Sequence, residues 1–133
     1  MSNKSKSFFN WGRNIRINPK QIRPKNLFDL KKAVSKKSFI ATGNQRSFGD
    51  VALNDKSIIS MRSFNKIIHF NDKKGIIELQ SGILLKEVLP IIVKKNWIFP
   101  VTPGTKYVSI GGMIANNIHG KNTQKNQIKF YVK

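Results

Sequence analysis

The sequence predicts an α+β fold that begins with a small parallel strand–helix–strand unit and continues into part of a second, mixed or antiparallel sheet, which is left incomplete. Two observations carry this prediction. Apolar residues recur at helical spacing between two short extended segments within residues 19–41. Two further apolar runs, at 66–70 and 75–80, are separated by the polar run Asn-Asp-Lys-Lys. A chain of 133 residues has room for one modest domain.

The first 24 residues show no helical pattern. Residues 1–18 are predicted to form an irregular N-terminal arm, with Phe8, Phe9 and Trp11 as the apolar anchors that dock it. Residues 19–24 are predicted to be extended, because the residue before a proline is biased away from helix. The arm is therefore separated from the predicted domain, which starts at residue 19 and runs to residue 133.

A helix over residues 27–37 is predicted from its cap and its apolar spacing. Asn26 is a suitable N-cap, and Asp29 would lie near the positive end of the helix. A short buried strand over 38–41 follows, and another strand is predicted over 57–61. Parallel pairing is expected because strands joined through a helix normally run in the same direction. The apolar residues at helical spacing are Leu27, Leu30, Ala33 and Val34.

In the second half, the runs at 66–70 and 75–80 predict a hairpin, with Gly75 relieving the turn. A second helix is predicted over 84–95, and Pro90 would either kink it or mark its start. A short helix is predicted to open at 110–117. A brief extended piece at 98–101 and an apolar run at 128–132, which begins a further element, complete the pattern.

The chain is strongly basic, with 25 Lys and Arg residues against 6 Asp and Glu residues and a formal charge of +19. Such a charge favours anionic partners, namely nucleic acid, acidic membranes or phosphorylated ligands. The lysines are spread along the chain instead of forming one block, so the codon usage of an AT-rich genome is the preferred explanation of the excess. A small basic nucleic-acid-binding protein is therefore the alternative function, although aromatic residues are not interleaved with the basic ones.

Sequence features also bear on location and on metals. No apolar run approaches the ~20 residues needed to cross a bilayer, and residues 1–10 lack the apolar core of a signal peptide. A cytoplasmic location is expected, with peripheral contact at the inner membrane left open. Cysteine is absent, and His69 and His119 alone do not make a metal site, so no metal is expected.

Two glycine-bearing segments are the candidate binding sites. The first spans residues 41–50, directly after a predicted strand, and combines two glycines with neutral donors and the cation of Arg46. Such a loop can point N–H groups at a diphosphate, or it can be a surface loop with capping residues. The second runs from Pro103 to Lys121, and Gly111-Gly112 in it allow close approach of backbone to a bulky ligand. An ordinary glycine-rich turn into a buried helix is the other interpretation.

Taken together, these motifs resemble the FAD-binding domain of the vanillyl-alcohol-oxidase or p-cresol-methylhydroxylase (PCMH) type, and within it the decaprenylphosphoryl-ribose oxidases. Their order and spacing match from about residue 11 to about residue 122. The residues that carry the resemblance are Trp11-Gly12-Arg13, Arg46-Ser47-Phe48-Gly49-Asp50 with Ala52-Leu53-Asn54, Pro103-Gly104-Thr105 and Ile118-His119-Gly120-Lys121-Asn122.

The resemblance implies a role for each position. Both segments would bind FAD, and His119 and Lys121 would border the substrate pocket, with no catalytic residue assigned. The flavin would take a hydride from a sugar CH–OH group of a polyprenyl-phosphoryl pentose, a sugar lactone or an alditol. The cofactor residues are Ala41, Thr42, Gly43, Asn44, Gln45, Arg46, Ser47, Phe48, Gly49 and Asp50 in the first segment, and Gly104, Ser109, Ile110, Gly111, Gly112, Asn116, Asn117, Ile118 and His119 in the second.

Three departures from the family pattern qualify these roles. Arg46 stands where relatives with histidyl-linked FAD carry His, so the FAD is expected to be non-covalent. Gln45 stands where decaprenylphosphoryl-ribose oxidases usually have Gly, and its side chain would narrow the approach of the phosphates. Family members also continue for several hundred residues. We therefore expect residues 19–133 to be a truncated FAD-binding domain without its substrate domain or catalytic base, inactive and unstable alone.

Overall fold

The computed structural model describes residues 7–35 and 38–122, and the predicted element at 128–132 lies outside them. The chain forms two compact units, Met1–Phe64 and Asn65–Lys133. Each unit is built on its own sheet elements, in agreement with the predicted change from a parallel sheet to an antiparallel one.

The first unit is built on a parallel three-stranded sheet, which confirms the predicted strand–helix–strand unit. The last strand in sequence lies between the other two, so the order is β3-β5-β4. Ile58 and Ile59 of the central strand are both fully buried, as expected for a strand covered on both faces. Ala41, in the edge strand, is exposed, so the prediction of a buried strand at 38–41 is wrong there. The strands are β3 (Lys20–Ile22), β4 (Ile40–Thr42) and β5 (Ser57–Ser60).

Helix α1 (Leu27–Val34) connects β3 to β4. It begins as predicted, because the Asn26 side chain accepts a hydrogen bond from the Asp29 N–H at 2.8 Å. The predicted end at residue 37 lies beyond the observed one, and residues 36–37 are outside the described part of the chain. The predicted apolar face is only partly buried: Ala33 is covered, whereas Leu27 is 67% exposed and Val34 is 46% exposed.

The N-terminal arm contains a short hairpin, so its predicted irregular structure is wrong for these residues. Strands β1 (Phe8–Phe9) and β2 (Arg16–Ile17) pair antiparallel, and Phe8 is buried. The Asn10 side chain holds the turn between them, since its oxygen accepts from the Ile15 N–H at 3.2 Å. A turn closed by side-chain amides leaves no apolar periodicity, which is why the sequence pattern did not predict it.

The second unit begins with the predicted hairpin of β6 (Ile67–Asn71) and β7 (Ile76–Leu79). Helices α2 (Leu85–Val93) and α3 (Ile110–Ala115) lie within one residue of the predicted starts and end two residues before the predicted ends. The extended piece predicted at 98–101 overlaps β8 (Val101–Thr102), which pairs antiparallel with β9 (Lys121–Asn122). The core comprises Ile83, Leu85, Val88, Ile92, Phe99, Ile110 and Met113.

Helix α2 runs through Pro90, so this residue does not mark its start. The Leu84 N–H donates to the Glu87 carboxylate at 2.6 Å, which satisfies one donor at the first turn. Pro90 is exposed, on the side away from the buried Val88 and Ile92. A single missing N–H on the exposed side is tolerated here because the apolar face of the helix is fully packed.

Candidate cofactor site

The carboxyl ends of the three parallel strands line a cavity of about 360 Å³ in the first unit. In open parallel sheets ligands bind in the crevice at these strand ends. Thr42 is the last residue of β4 and Ser60 is the last of β5, and their registers place them side by side. We call this the strand-end cavity. Its lining residues are Phe8, Gln21, Arg23, Thr42, Gly43, Asn44, Gln45, Ser60, Arg62 and Ser63.

Two polar atoms of this lining are buried without a hydrogen-bond partner among the residues that the structure describes. They are the hydroxyl oxygen of Thr42 and the amide nitrogen of Gln45. Only 3% of Thr42 is exposed. A buried polar group left unpaired costs about 1–3 kcal/mol, so such a group in a cavity is a candidate contact for a water molecule or a ligand. Both can donate a hydrogen bond, which suits an anionic oxygen.

The same loop contains Gln45, one of the five non-glycine residues with positive φ among the described residues. Gln45 has φ of +54°, in the left-handed region that favours glycine, and Gly49 has φ of +61°. A glycine, which the resembling oxidases usually carry at this position, would adopt this φ without strain. Strained non-glycine residues persist where the surrounding structure holds them, and they cluster at ligand sites.

The N-terminal hairpin contacts the loop at two places. The Trp11 N–H donates to the Ser47 carbonyl at 2.9 Å. The guanidinium of Arg46 lies over the Trp11 ring, 4.6 Å from its centre, which is a cation–π contact. Trp11 therefore joins the arm to the candidate loop through its backbone N–H and a cation, and the residue is 42% exposed, so the prediction that it docks the arm as an apolar anchor is not borne out. Arg46 does not line the strand-end cavity.

In the second unit, α3 starts at Ile110, as predicted. The N–H groups at its start already donate hydrogen bonds to protein oxygen atoms. Ser109 is the N-cap of α3, and its hydroxyl accepts from the Gly112 N–H at 3.3 Å. The N–H groups of Ile110 and Gly111 donate to the carbonyls of Ile83 and Ser81, at 2.9 and 2.8 Å. Any contact of this turn with FAD would rest on close approach rather than on these three N–H donors, and it stays a prediction.

Strands β8 and β9 bring the two ends of the second segment together. Their register places Thr102 opposite Lys121, and Gly120 lies against Thr102 and Pro103, the two residues before Gly104. Gly104, Asn116, Asn117, His119 and Lys121 are all exposed, and Ile118 is half-buried against the core. These side chains are therefore accessible to a ligand, and their predicted contacts with FAD and substrate stay predictions.

The strand-end cavity contains residues that the sequence analysis did not assign. Gln21, Arg23, Ser60, Arg62 and Ser63 carry no glycine motif. Only the sheet order β3-β5-β4 brings the ends of these strands together, and this order is not encoded in any local pattern. An available signal was the presence of three polar residues, Ser60, Arg62 and Ser63, directly after the buried apolar pair Ile58-Ile59.

Within residues 7–35 and 38–122, no three His, Cys, Asp or Glu side chains cluster closely enough to hold a metal ion. No helix in this part of the chain is long and apolar enough to span a membrane. The predicted peripheral contact with a membrane stays a prediction.

The chain belongs to the FAD binding domain family, whose sequence model matches residues 22–132. The fold is the N-terminal part of the PCMH-type FAD-binding fold, and the cofactor of the family is FAD. Cholesterol oxidase from Brevibacterium sterolicum superimposes with a TM-score of 0.72 at 19% identity, over 86% of this chain and 24% of that one. The predicted fold class, family and cofactor are thereby confirmed.

Curated relatives add sequence similarity at higher identity. Decaprenylphosphoryl-β-D-ribose oxidase from Mycolicibacterium smegmatis is 34% identical over 84 residues, which are 62% of this chain and 18% of the relative. D-lactate dehydrogenase from Anaerostipes hadrus is 30% identical over 77 residues, 58% of this chain and 16% of the relative. The chain thus spans less than a fifth of the length of these two relatives.

The residues of the strand-end cavity fit the phosphates of FAD. The unpaired Thr42 hydroxyl and Gln45 amide can donate to phosphate oxygens, and the guanidinium groups of Arg23 and Arg62 can neutralise their charge.

Proposed function

We propose that this chain binds FAD without a covalent link and is the cofactor-binding part of a flavin-dependent oxidoreductase that acts on a CH–OH group. The observation that carries the proposal is the pair of unpartnered buried donors of Thr42 and Gln45 in the strand-end cavity. The loop 41–50 and the residues of the second segment would bind the cofactor. When bound, FAD supplies the hydride acceptor, and the protein supplies orientation and electrostatics.

The link to FAD is proposed to be non-covalent because Arg46 stands at the position of the linking histidine. Its guanidinium lies over Trp11, where it stabilises the loop instead of carrying a cofactor. Precipitation of the flavin-loaded protein with acid separates the two possibilities. Flavin released into the supernatant supports the proposal, whereas flavin that stays in the pellet contradicts it.

The names of the relatives suggest two substrate classes. One relative is a ribose oxidase and another is an L-gulonolactone oxidase from Mus musculus, both named for sugar-derived substrates, whereas a third is a D-lactate dehydrogenase. We propose a sugar-derived alcohol as the substrate, with His119 and Lys121 at its pocket. Anaerobic addition of polyprenyl-phosphoryl pentoses, sugar lactones, alditols and D-2-hydroxy acids to the protein from its complete reading frame tests this, with bleaching of the flavin band as the readout.

Replacing Thr42 by Val should raise the stability of the FAD-free protein while weakening FAD binding. The substitution removes a buried hydroxyl that has no partner among the described residues and keeps the shape of the side chain. We expect unfolding free energy to rise by about 1 kcal/mol and the Kd for FAD to rise about 10-fold, since a hydrogen bond to a charged oxygen is lost. Denaturant unfolding and flavin fluorescence titration measure the two quantities.

The matched control is Ser57→Ala in the neighbouring central strand. The Ser57 hydroxyl donates to the Ser38 carbonyl at 2.7 Å, so its removal should lower stability and leave the Kd for FAD unchanged. Opposite responses of the two variants support the proposed site. If Thr42→Val lowers stability and leaves FAD affinity at the wild-type value, the hydroxyl is not a ligand.

Replacing Trp11 by Leu should weaken FAD binding about 3-fold, because Arg46 loses its cation–π contact and the loop it belongs to is less well held. Phe9→Leu is the control, since Phe9 makes a comparable contact with Arg16, 5.7 Å from the ring centre, within the hairpin alone. Flavin titration of both variants measures the difference. Equal Kd values for the two would show that the hairpin does not support the loop.

A further inference from the structure

We propose that Arg62, assisted by Arg23, is the phosphate-binding cation of the strand-end cavity and contacts the diphosphate of FAD. This inference rests on the proposed function and assigns a role to residues outside the glycine motifs. Both side chains line the cavity, whereas Arg46, the cation within the loop motif, does not. Arg46 lies over the ring of Trp11 instead.

The position of Arg62 follows from the end of the central strand. Ser60 ends β5, and a single 3-10 turn over Met61–Ser63 follows at once, which carries Arg62 into the cavity lining. The side chain is half-buried, so water screens its charge less than that of the exposed lysines. A partly buried guanidinium with fixed donors is well suited to bind phosphate oxygens.

Arg23 approaches from the neighbouring strand. It directly follows β3, whose last residue Ile22 pairs with Ile59 of β5. Its guanidinium donates to the side-chain oxygen of Gln21 at 2.7 Å, and Gln21 also lines the cavity. This bond uses one of five guanidinium N–H donors, so further donors remain for an anion.

The cavity has the donor set of an anion site. Its described lining contains two arginines and no Asp or Glu. It also contains three residues with a hydroxyl group, Thr42, Ser60 and Ser63. The Thr42 hydroxyl and the Gln45 amide nitrogen are buried there without partners among the described residues. A diphosphate would supply acceptors for both and would neutralise the two cations.

The test compares Arg62→Gln with Lys56→Gln in the protein expressed from its complete reading frame. Both changes remove one positive charge from the first unit, but Lys56 is exposed and precedes β5, at the opposite end of the strand. The ligands are FAD, ADP and riboflavin, which has no phosphate. Arg62→Gln should raise the Kd values for FAD and ADP by the same factor, about 10-fold or more, and leave the Kd for riboflavin unchanged. Lys56→Gln should change none of the three.

Arg23→Gln is a second variant in case Arg62→Gln lowers the stability of the fold. The Arg23 side chain is exposed, so its loss leaves no gap in the packed core. It should weaken FAD and ADP by a smaller factor, about 3-fold. If the wild type binds FAD and both arginine variants bind it equally well, this inference is wrong while the proposed function stands.

Inorganic pyrophosphate separates the two proposals in the other direction. If the wild type fails to bind FAD but pyrophosphate raises its melting temperature, and Arg62→Gln abolishes that rise, the anion site is supported and the proposed function fails. If neither ligand binds, both proposals are overturned. Loss of riboflavin binding together with FAD in Arg62→Gln would show a general structural defect and would also overturn the inference.

Discussion

Gly75→Ala should destabilise the second unit by about 3 kcal/mol, because the added methyl group is unfavourable for two separate reasons. Gly75 has φ of +63°, which costs an alanine about 1 kcal/mol. The added Cβ would also overlap the ring of Trp97, whose displacement is expected to cost a further 1–3 kcal/mol. The Trp97 indole donates to the Asp72 carbonyl at 2.7 Å, so its movement also breaks a hydrogen bond that closes the β6–β7 turn.

Gly49→Ala is the matched control, since Gly49 has nearly the same φ, +61°, and an added Cβ there meets no atom within 4 Å. This variant should lower the free energy of unfolding by only about 1 kcal/mol, the effect of the positive φ alone. Thermal unfolding measures both variants, and Gly75→Ala should lower the melting temperature by on the order of 10 °C more. Equal losses would show that Trp97 adjusts without cost, and the effect should shrink in a Trp97→Leu background if the ring is the obstacle.

A surface ion pair adds to the same turn. Lys95 lies 2.9 Å from the Asp72 carboxylate, and this hydrogen bond, with its charge, holds the pKa of Asp72 below its ordinary value. Both side chains are about half exposed, at 54% and 42%, so solvent screens the pair. The packing of Trp97 against Gly75, rather than the ion pair, is therefore the dominant contribution to this turn.

The parts of the fold that could be predicted depend on residues close together in sequence. The cap at Asn26, the β6–β7 turn and the N-terminus of α3 at Ser109 each follow from a few neighbouring side chains. The FAD cofactor was predicted from the resemblance to the family, and the matching family model confirms this prediction. In all of these, local chemistry and tertiary structure agree.

The features that could not be predicted depend on tertiary contacts. The insertion of β5 between β3 and β4 is set by packing of the whole sheet, and it alone brings Arg23 and Arg62 to one cavity. The exposure of Leu27 is a second example. Helical spacing predicts which residues form the apolar face of α1, but it does not show whether another element covers that face. Likewise, no pattern shows that the loop cation Arg46 lies over Trp11 rather than in the cavity.

Gly120→Ala should have the largest effect on the second segment, because the added Cβ would overlap the backbone carbonyl of Thr102 and approach the Cα of Pro103. Backbone atoms cannot rotate away as a side chain can, so the β8–β9 pair, in which Thr102 faces Lys121, must separate. We expect a loss of about 3 kcal/mol, at the upper end of overpacking costs. If residues 116–119 bind FAD, as proposed, the Kd for FAD should also rise at least about 10-fold, since these residues directly precede Gly120 and the displaced strand β9.

Gly104→Ala is the control, since Gly104 lies two residues after the end of β8. An added Cβ at Gly104 meets nothing within 4 Å, so its stability should stay within about 0.5 kcal/mol of the wild type. Thermal unfolding and flavin titration of both variants distinguish two outcomes. A Gly120→Ala protein that melts early yet binds FAD as the wild type does would leave the steric argument intact and remove residues 116–119 from the cofactor site. Loss of both properties would support a role for the β8–β9 pair in positioning residues 116–119, which precede β9 in the chain.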